Sequence, residues 1–492
     1  MPENTTSSPA PHPELPPLLG ALWELLQAHR CAFKQERTFL RAQALLFGHL
    51  FCFARRTITQ ALLALGLTDG DWSAFYRLFS VEGRIDYEAL TGRFFKETLC
   101  HHLGPSDPYV AVVDGVQVPR HSHKMAGSCW LRSPRTPPFM PGIHRAQRFM
   151  HLAGLLPPNE EGYSRALPLR WEPAFTEKAV PSEGFEPKKE WEAASEAIVW
   201  LRERLDEAGC CLKRLLVLAD GAYCVKDLFC ELPRGVTLLA RCAKNRALFE
   251  LPGAASGGGE RRRGRPRKYG ERAPRPSEWL EKSKKRKGWR RREVMVRGRT
   301  IRLVHRVEGP YLLRGAAERP VFLIVVKGVD RRAKRRRRRE PAFFLVSAAG
   351  EKGGWSMPYP AEELLFWGWQ RWEVEVAHRE MKTSFGLGEI QCWNARSVVL
   401  AARWQAWCYG AMVLAGYRAW GLTEGPASVR PAGRWWRGSG RWSMGTLWRG
   451  YRCELWGVEQ FRPLWTPTGG NYYEKEAHLV GMSNAVFGSL RG

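Results

Sequence analysis

The 492-residue sequence has twelve cysteines but not one Cys-x-x-Cys pair. Their spacing offers neither a zinc pattern nor a disulfide framework, which excludes the metal-stapled and disulfide-stapled classes. Nor is there a clean run of about 20 apolar residues, the length that crosses a bilayer. The most apolar long stretch, SVVLAARWQAWCYGAMVLAGYRAWG, carries Arg403 and Gln405 and reads as a buried helix. No internal repeat is visible. With no signal peptide at the N-terminus, reduced thiols in a cytoplasmic protein without a membrane partner are expected.

Acidic residues are in short supply. Asp and Glu number 49 against 77 Lys and Arg, a net charge of +28. Such a surplus favours a polyanionic partner, because phosphate contacts release condensed counterions. The surplus is concentrated: residues 251–340 hold 31 Lys/Arg and nine Asp/Glu. A uniform compositional bias would not cluster charge in this way.

What is present divides the chain into six stretches. Residues 1–17 read as a disordered lead-in. Residues 18–105 show apolar positions at three- and four-residue steps, the period of helices. Within them, Thr57–Leu65 and Trp72–Phe79 read as two short helices across the turn Gly66–Asp71. That pattern fits a helix-turn-helix, with Arg55, Arg56 and Arg77 available to phosphates, and fits any helical hairpin as well. Residues 106–233 mix buried strands with a helix over 190–208, whose stripe is Trp191, Ala194, Ile198, Leu201 and Leu205 and whose stop is Gly209. Residues 234–354 read as a basic, β-rich insertion with strands VTLLARC, REVMVRG, TIRLVHR, YLLRG, VFLIVVKG and AFFLVSA. Residues 355–420 are helical again, and 421–492 form a Trp- and Arg-rich region without assigned elements. The succession implies an α/β fold with an all-α N-terminal region.

Two acids share one setting. Asp114 in VVDGVQVPR and Asp220 in LADGAY each end a buried apolar run and precede glycine. A carboxylate there is costly to bury unless it is paired or bound to metal, and strand ends in α/β sheets are where ligands sit. Asp-Gly is also a common turn pair, so each acid alone is compatible with a turn.

A third acid comes from RWEVEVAHREMK, residues 371–382, on a helix expected between Pro360 and Gly386. At about 100° per residue, Arg371, Glu375, His378 and Lys382 fall on one stripe, with Glu373 and Glu380 on the opposite side. One polar stripe can face solvent. The other must meet something polar, and an i,i+4 pair contributing only about 0.2–0.5 kcal/mol does not explain a second polar face. A basic–acidic–basic stripe suits a metal site that cuts a phosphodiester, with Glu375 on the ion and Arg371 and Lys382 on phosphates.

These residues resemble the DDE transposases of bacterial insertion sequences, and most closely their cut-and-paste subgroup with a β-strand insertion before the glutamate. Arg371-x3-Glu375-x6-Lys382 matches that subgroup's signature, while Gly368 stands where its tyrosine would be. Asp114 and Asp220 match the two aspartates, and 155 residues separate Asp220 from Glu375. The resemblance covers roughly residues 40–415. It implies an RNase H-like core interrupted by the insertion and a catalytic triad of Asp114, Asp220 and Glu375 binding two Mg2+ or Mn2+ ions. It also implies nicking at element ends followed by 3′-hydroxyl attack on target DNA, by a homodimer on double-stranded DNA in a nucleoid-associated setting. A metal-dependent nuclease without strand transfer, and a non-catalytic DNA-binding derivative, are the other readings of the same residues.

The basic segments extend the expected DNA contacts. Arg263-Gly264-Arg265-Pro266, followed by Arg267 and Lys268, resembles an AT-hook, whose arginines enter a narrow minor groove. KSKKRKGWRRR (282–292) and RRAKRRRRR (331–339) read as loops along the DNA backbone. Arg145 and Arg148 in GIHRAQRF lie near the catalytic half and are candidate backbone contacts. HSHK at 121–124 and the pair His101–His102 have no partners at metal-ligand spacing.

Overall fold

The computed structural model describes residues 15–457 except 54, 68–69, 103, 105–106, 134–141, 181–183, 253–266, 282–287, 329–339, 351–353 and 431–439. The elements in chain order are α1 (Pro17–Ala28), α2 (Glu36–Phe51), α3 (Ile58–Ala64), α4 (Ser73–Ser80), α5 (Tyr87–Leu99), β1 (Tyr109–Pro119), β2 (Ser128–Arg132), β3 (Ile143–Leu155) and β4 (Ala166–Pro173). There follow α6 (Glu190–Glu207), β5 (Leu215–Ala219), α7 (Lys226–Cys230), β6 (Val236–Arg241), β7 (Phe249–Glu250), α8 (Glu278–Glu281), β8 (Arg290–Val296), β9 (Arg299–Leu313), β10 (Ala316–Val326) and β11 (Ala342–Ser347). The chain then turns helical through α9 (Ala361–Gln370), α10 (Trp372–Ser384), α11 (Ala395–Trp420) and α12 (Met444–Gly457). Two compact units result, one of residues 1–90 with 408–492 and one of residues 91–407.

The first unit is helical. Thr57 caps α3 by accepting from the Gln60 N–H at 3.2 Å, and α3 and α4 fall where the two short helices were expected. This unit takes its remaining helices from the far end of the chain. Within it, α12 supplies caps to two other helices. Glu454 of α12 accepts the Leu19 N–H at 2.8 Å at the start of α1, satisfying N-terminal donors that a helix leaves open. Arg452 donates to Leu50 O at 2.7 Å at the end of α2, the complementary arrangement for a cation.

The second unit is built on one 11-stranded mixed sheet, with the path β2-β3-β1-β5-β6-β11-β10-β9-β7. β4 pairs with β3 and β8 with β9, off that path. β1, β5 and β6 run parallel at its centre, and their apolar runs are buried on both faces, as parallel strands require. The β-rich stretch is therefore not a separate sheet. β6 is a core strand and β11 pairs with it, so β8–β11 prolong the same sheet. TIRLVHR and YLLRG, expected as two strands, are one long strand, β9. In α6 the apolar stripe is buried except at Trp191, which is half-buried.

Adjacent residues on a strand point to opposite faces, and on β1 this separates two helices. Asp114 meets residues of α10. On the other side, a Cβ at Gly115 would stand 2.5 Å from Glu190 Oε1 of α6. α11 has the length and apolarity of a span, yet 89% of its most apolar window is buried within the protein, as a core helix.

Candidate active site

β1 continues to Pro119, so Asp114 lies within a strand and not at its end, contrary to the sequence reading. The parallel pairing of β1 with β5, however, ends at Val113–Ala219. Asp114 and Asp220 are the next residues on the two chains, which places them side by side where the ladder stops. α10 brings the third acid. α9 and α10 join through Arg371, whose φ of −48° and ψ of −33° are helical, so the rod expected from Pro360 is nearly continuous. Gly386, at φ 62°, ends it in the left-handed conformation that favours glycine.

Arg371 Nη2 donates to Glu375 Oε1 at 2.7 Å, and its Nη1 stands 3.9 Å from Asp114 Oδ2. His378 Nδ1 lies 3.9 Å from the same oxygen. Gly115 N–H donates to Asp114 Oδ1 at 2.9 Å. Burial pushes the Asp114 carboxyl up to about 7. Arg371 and the Gly115 N–H oppose that rise, while Glu375 and Asp220 add to it. Glu375 and Asp220 thus act on Asp114 through one electrostatic environment, in which Arg371 is the principal counter-charge.

The residue chemistry is the test of whether a cation fits. Three hard carboxylates suit Mg2+ or Mn2+, and a divalent ion would favour the ionised form of Asp114 that burial disfavours. The residue types fit. As placed, no three His, Cys, Asp or Glu side chains among the described residues converge closely enough to hold an ion. Arg371 stands between Asp114 and Glu375 as the internal counter-ion.

The opposite stripe of α10 is corrected. Glu373 and Glu380 do not face solvent: both are buried and ion-paired. Arg165 Nη1 reaches both Glu380 oxygens, at 2.8 and 3.1 Å. Arg297 Nη2 lies 2.7 Å from Glu373. Arg297 and Gly298 form the two-residue turn of the β8–β9 hairpin, both with positive φ, and that turn aims the arginine at α10.

The remaining candidates divide. Lys382 is half-buried and close enough to His378 to influence it. Arg148 Nε lies 3.3 Å from Glu190 Oε1 on the α6 face of β1. Arg145 gives its donors to the 121–128 loop: Nε to Ser122 O at 3.2 Å and Ser128 Oγ at 3.1 Å, and Nη2 to His123 O at 2.9 Å. It holds a loop in place. Arg267 and Lys268 are exposed. Arg263 and Arg265 lie outside the described residues, as do residues 282–287 and 331–339 of the two basic runs. A side chain at position 368, where the signature has tyrosine, would meet Leu239 and Phe344 at 3.5–3.7 Å.

Sequence reasoning missed Glu190, Tyr223 and His151. Tyr223 follows Asp220 by three residues. Its hydroxyl is buried without a hydrogen-bond partner among the described residues, and its pKa is raised by burial first and then by Glu190, Asp114 and Asp220. Only the DGAY spacing hinted at it.

A family model described as DDE superfamily endonuclease matches residues 30–301, more than half of the chain. The match includes Asp114 and Asp220 and ends before α10. It implies DNA as substrate and metal-dependent cleavage as the reaction. Comparison with curated proteins found no match.

Proposed function

The chain belongs to the DDE superfamily of endonucleases, and on that premise we propose that it is an insertion-sequence transposase. It cleaves DNA at element ends and joins the freed 3′-hydroxyl to target DNA. The observation that carries the reading is geometric: Asp114 and Asp220 follow the last parallel pair of β1 and β5, and Arg371 of α10 stands between Asp114 and Glu375. Asp114, Asp220 and Glu375 are the ligands of two divalent ions, Mg2+ or Mn2+. Such ions, when bound, activate the attacking oxygen and stabilise the leaving one. Arg371 and Lys382 hold the phosphates flanking the cut. Arg267, Lys268 and the basic segments around them track the backbone. Two element ends must meet, so the active form is a homodimer on DNA.

The test is a gel assay with Mn2+ and DNA from either side of the gene, chosen for any inverted repeats found there. Joined products are the expected result. Cleavage without joining points to a nuclease of the same fold, and a mobility shift alone to a DNA-binding derivative.

A further inference from the structure

Asp114, His151 and Trp171 are direct cross-strand partners on β1, β3 and β4. Their side chains therefore share one face of the sheet. α10 lays His378 over that face. Its ring centroid is 5.0 Å from that of His151 and it meets Trp171 edge-on at 6.1 Å. His151 Nδ1 lies 2.9 Å from His378 Nε2, and His378 Nδ1 faces Asp114 Oδ2 at 3.9 Å. His151 Nε2 is buried with no partner among the described residues. Both rings are buried.

Only one proton can lie between His151 Nδ1 and His378 Nε2, and two arrangements exist. If His378 donated from Nε2, its bare Nδ1 lone pair would face the Asp114 carboxylate. His151 would then carry an orphaned N–H at Nε2. A buried donor left unpaired costs about 1–3 kcal/mol. If His151 donates from Nδ1 instead, His378 carries its proton on Nδ1, towards Asp114. The only unpaired atom is then a lone pair on His151 Nε2. Both effects favour the second arrangement.

We propose that His378 is a positioning residue for Asp114, held in the Nδ1–H tautomer by a hydrogen bond donated from His151. This rests on Asp114 being a cation ligand, as argued above. Gly115 N–H already fixes Oδ1. His378 addresses Oδ2, so the carboxylate is oriented from both sides. The 3.9 Å separation is of the kind that tightens once a site is loaded. Partners of this sort shift metal affinity by about 10–100-fold when removed.

The test uses the full chain. With 15N-labelled histidine at a pH above the range in which Asp114 ionises, the His378 resonances should show Nδ1 protonated and Nε2 bare. Protonation at Nε2, or at both nitrogens, overturns the proposal. In His151→Phe the Nδ1–H preference of His378 should be lost, and its persistence also counts against the role. Mn2+ binding to the protein–DNA complex, read from the free-ion paramagnetic resonance signal, gives a second measure. His378→Asn places an amide nitrogen where Nδ1 stands, and its affinity should stay within about twofold of wild type, whereas His378→Gln should weaken it by about tenfold. Equal affinities for the two variants overturn the proposal. Should either variant fail to fold, the wild-type tautomer still decides. If Asp114→Asn leaves Mn2+ binding unchanged, the ligand assignment itself is wrong and the positioning role falls with it.

Discussion

Arg371 bonds Glu375 at 2.7 Å and stands 3.9 Å from Asp114, so one guanidinium lies between two of the three acids. It occupies the position of a cation and competes with one. Arg371→Ala should therefore bind Mn2+ more tightly in the absence of DNA, by about tenfold for each 1.4 kcal/mol of repulsion removed. The same variant should lose cleavage, because its phosphate contact goes with the charge. Weaker Mn2+ binding, measured by calorimetry, would show that Arg371 supports the acids and does not compete with the ion.

Asp114 trades stability for function. Its carboxyl is raised from 3.8 to about 7. Between those values the folded state binds the proton and the unfolded state does not, so stability falls as pH rises through that window. Asp114→Asn cannot ionise and escapes the loss. Its melting temperature should match wild type near about pH 4 and exceed it near about pH 8, by up to about 4 kcal/mol of stability. Thermal melts at the two values check it, and cleavage should be absent at both.

The glutamates of α10 should separate by phenotype. Glu380 is bonded through both oxygens to Arg165, which is 2% exposed. Glu380→Gln should destabilise by roughly 3 kcal/mol, the cost of a buried charge left without its partner. Denaturant titration measures it. Glu375 is a third exposed, and Glu375→Gln should leave the same titration nearly unchanged.

DNA binding should weaken steeply with salt. Lys382→Ala should lower the slope of log affinity against log salt by about one, the signature of a single phosphate contact. A slope equal to wild type would remove Lys382 from the interface.

Much of this architecture is legible in the sequence. Apolar runs before Asp114 and Asp220 locate two core strands, and the angular separation on α10 singles out Glu375. The misreadings have one cause, the partner distant in sequence. Glu373 and Glu380 look solvent-facing because Arg297 and Arg165 arrive from a hairpin turn and from the segment before β4, far away along the chain. His151 is invisible for the same reason. Only the β1–β3 register sets it opposite Asp114, and only α10 packing sets His378 upon it. The α1–α12 cap likewise joins residues more than 400 positions apart.

The central claim is that Asp114, Asp220 and Glu375 form one catalytic centre. Cleavage of element-end DNA by Glu375→Gln in Mn2+, with DNA retention followed in the same gel, tests it most directly. The account predicts undiminished binding and no cut strand. Cleavage at the wild-type rate would contradict it.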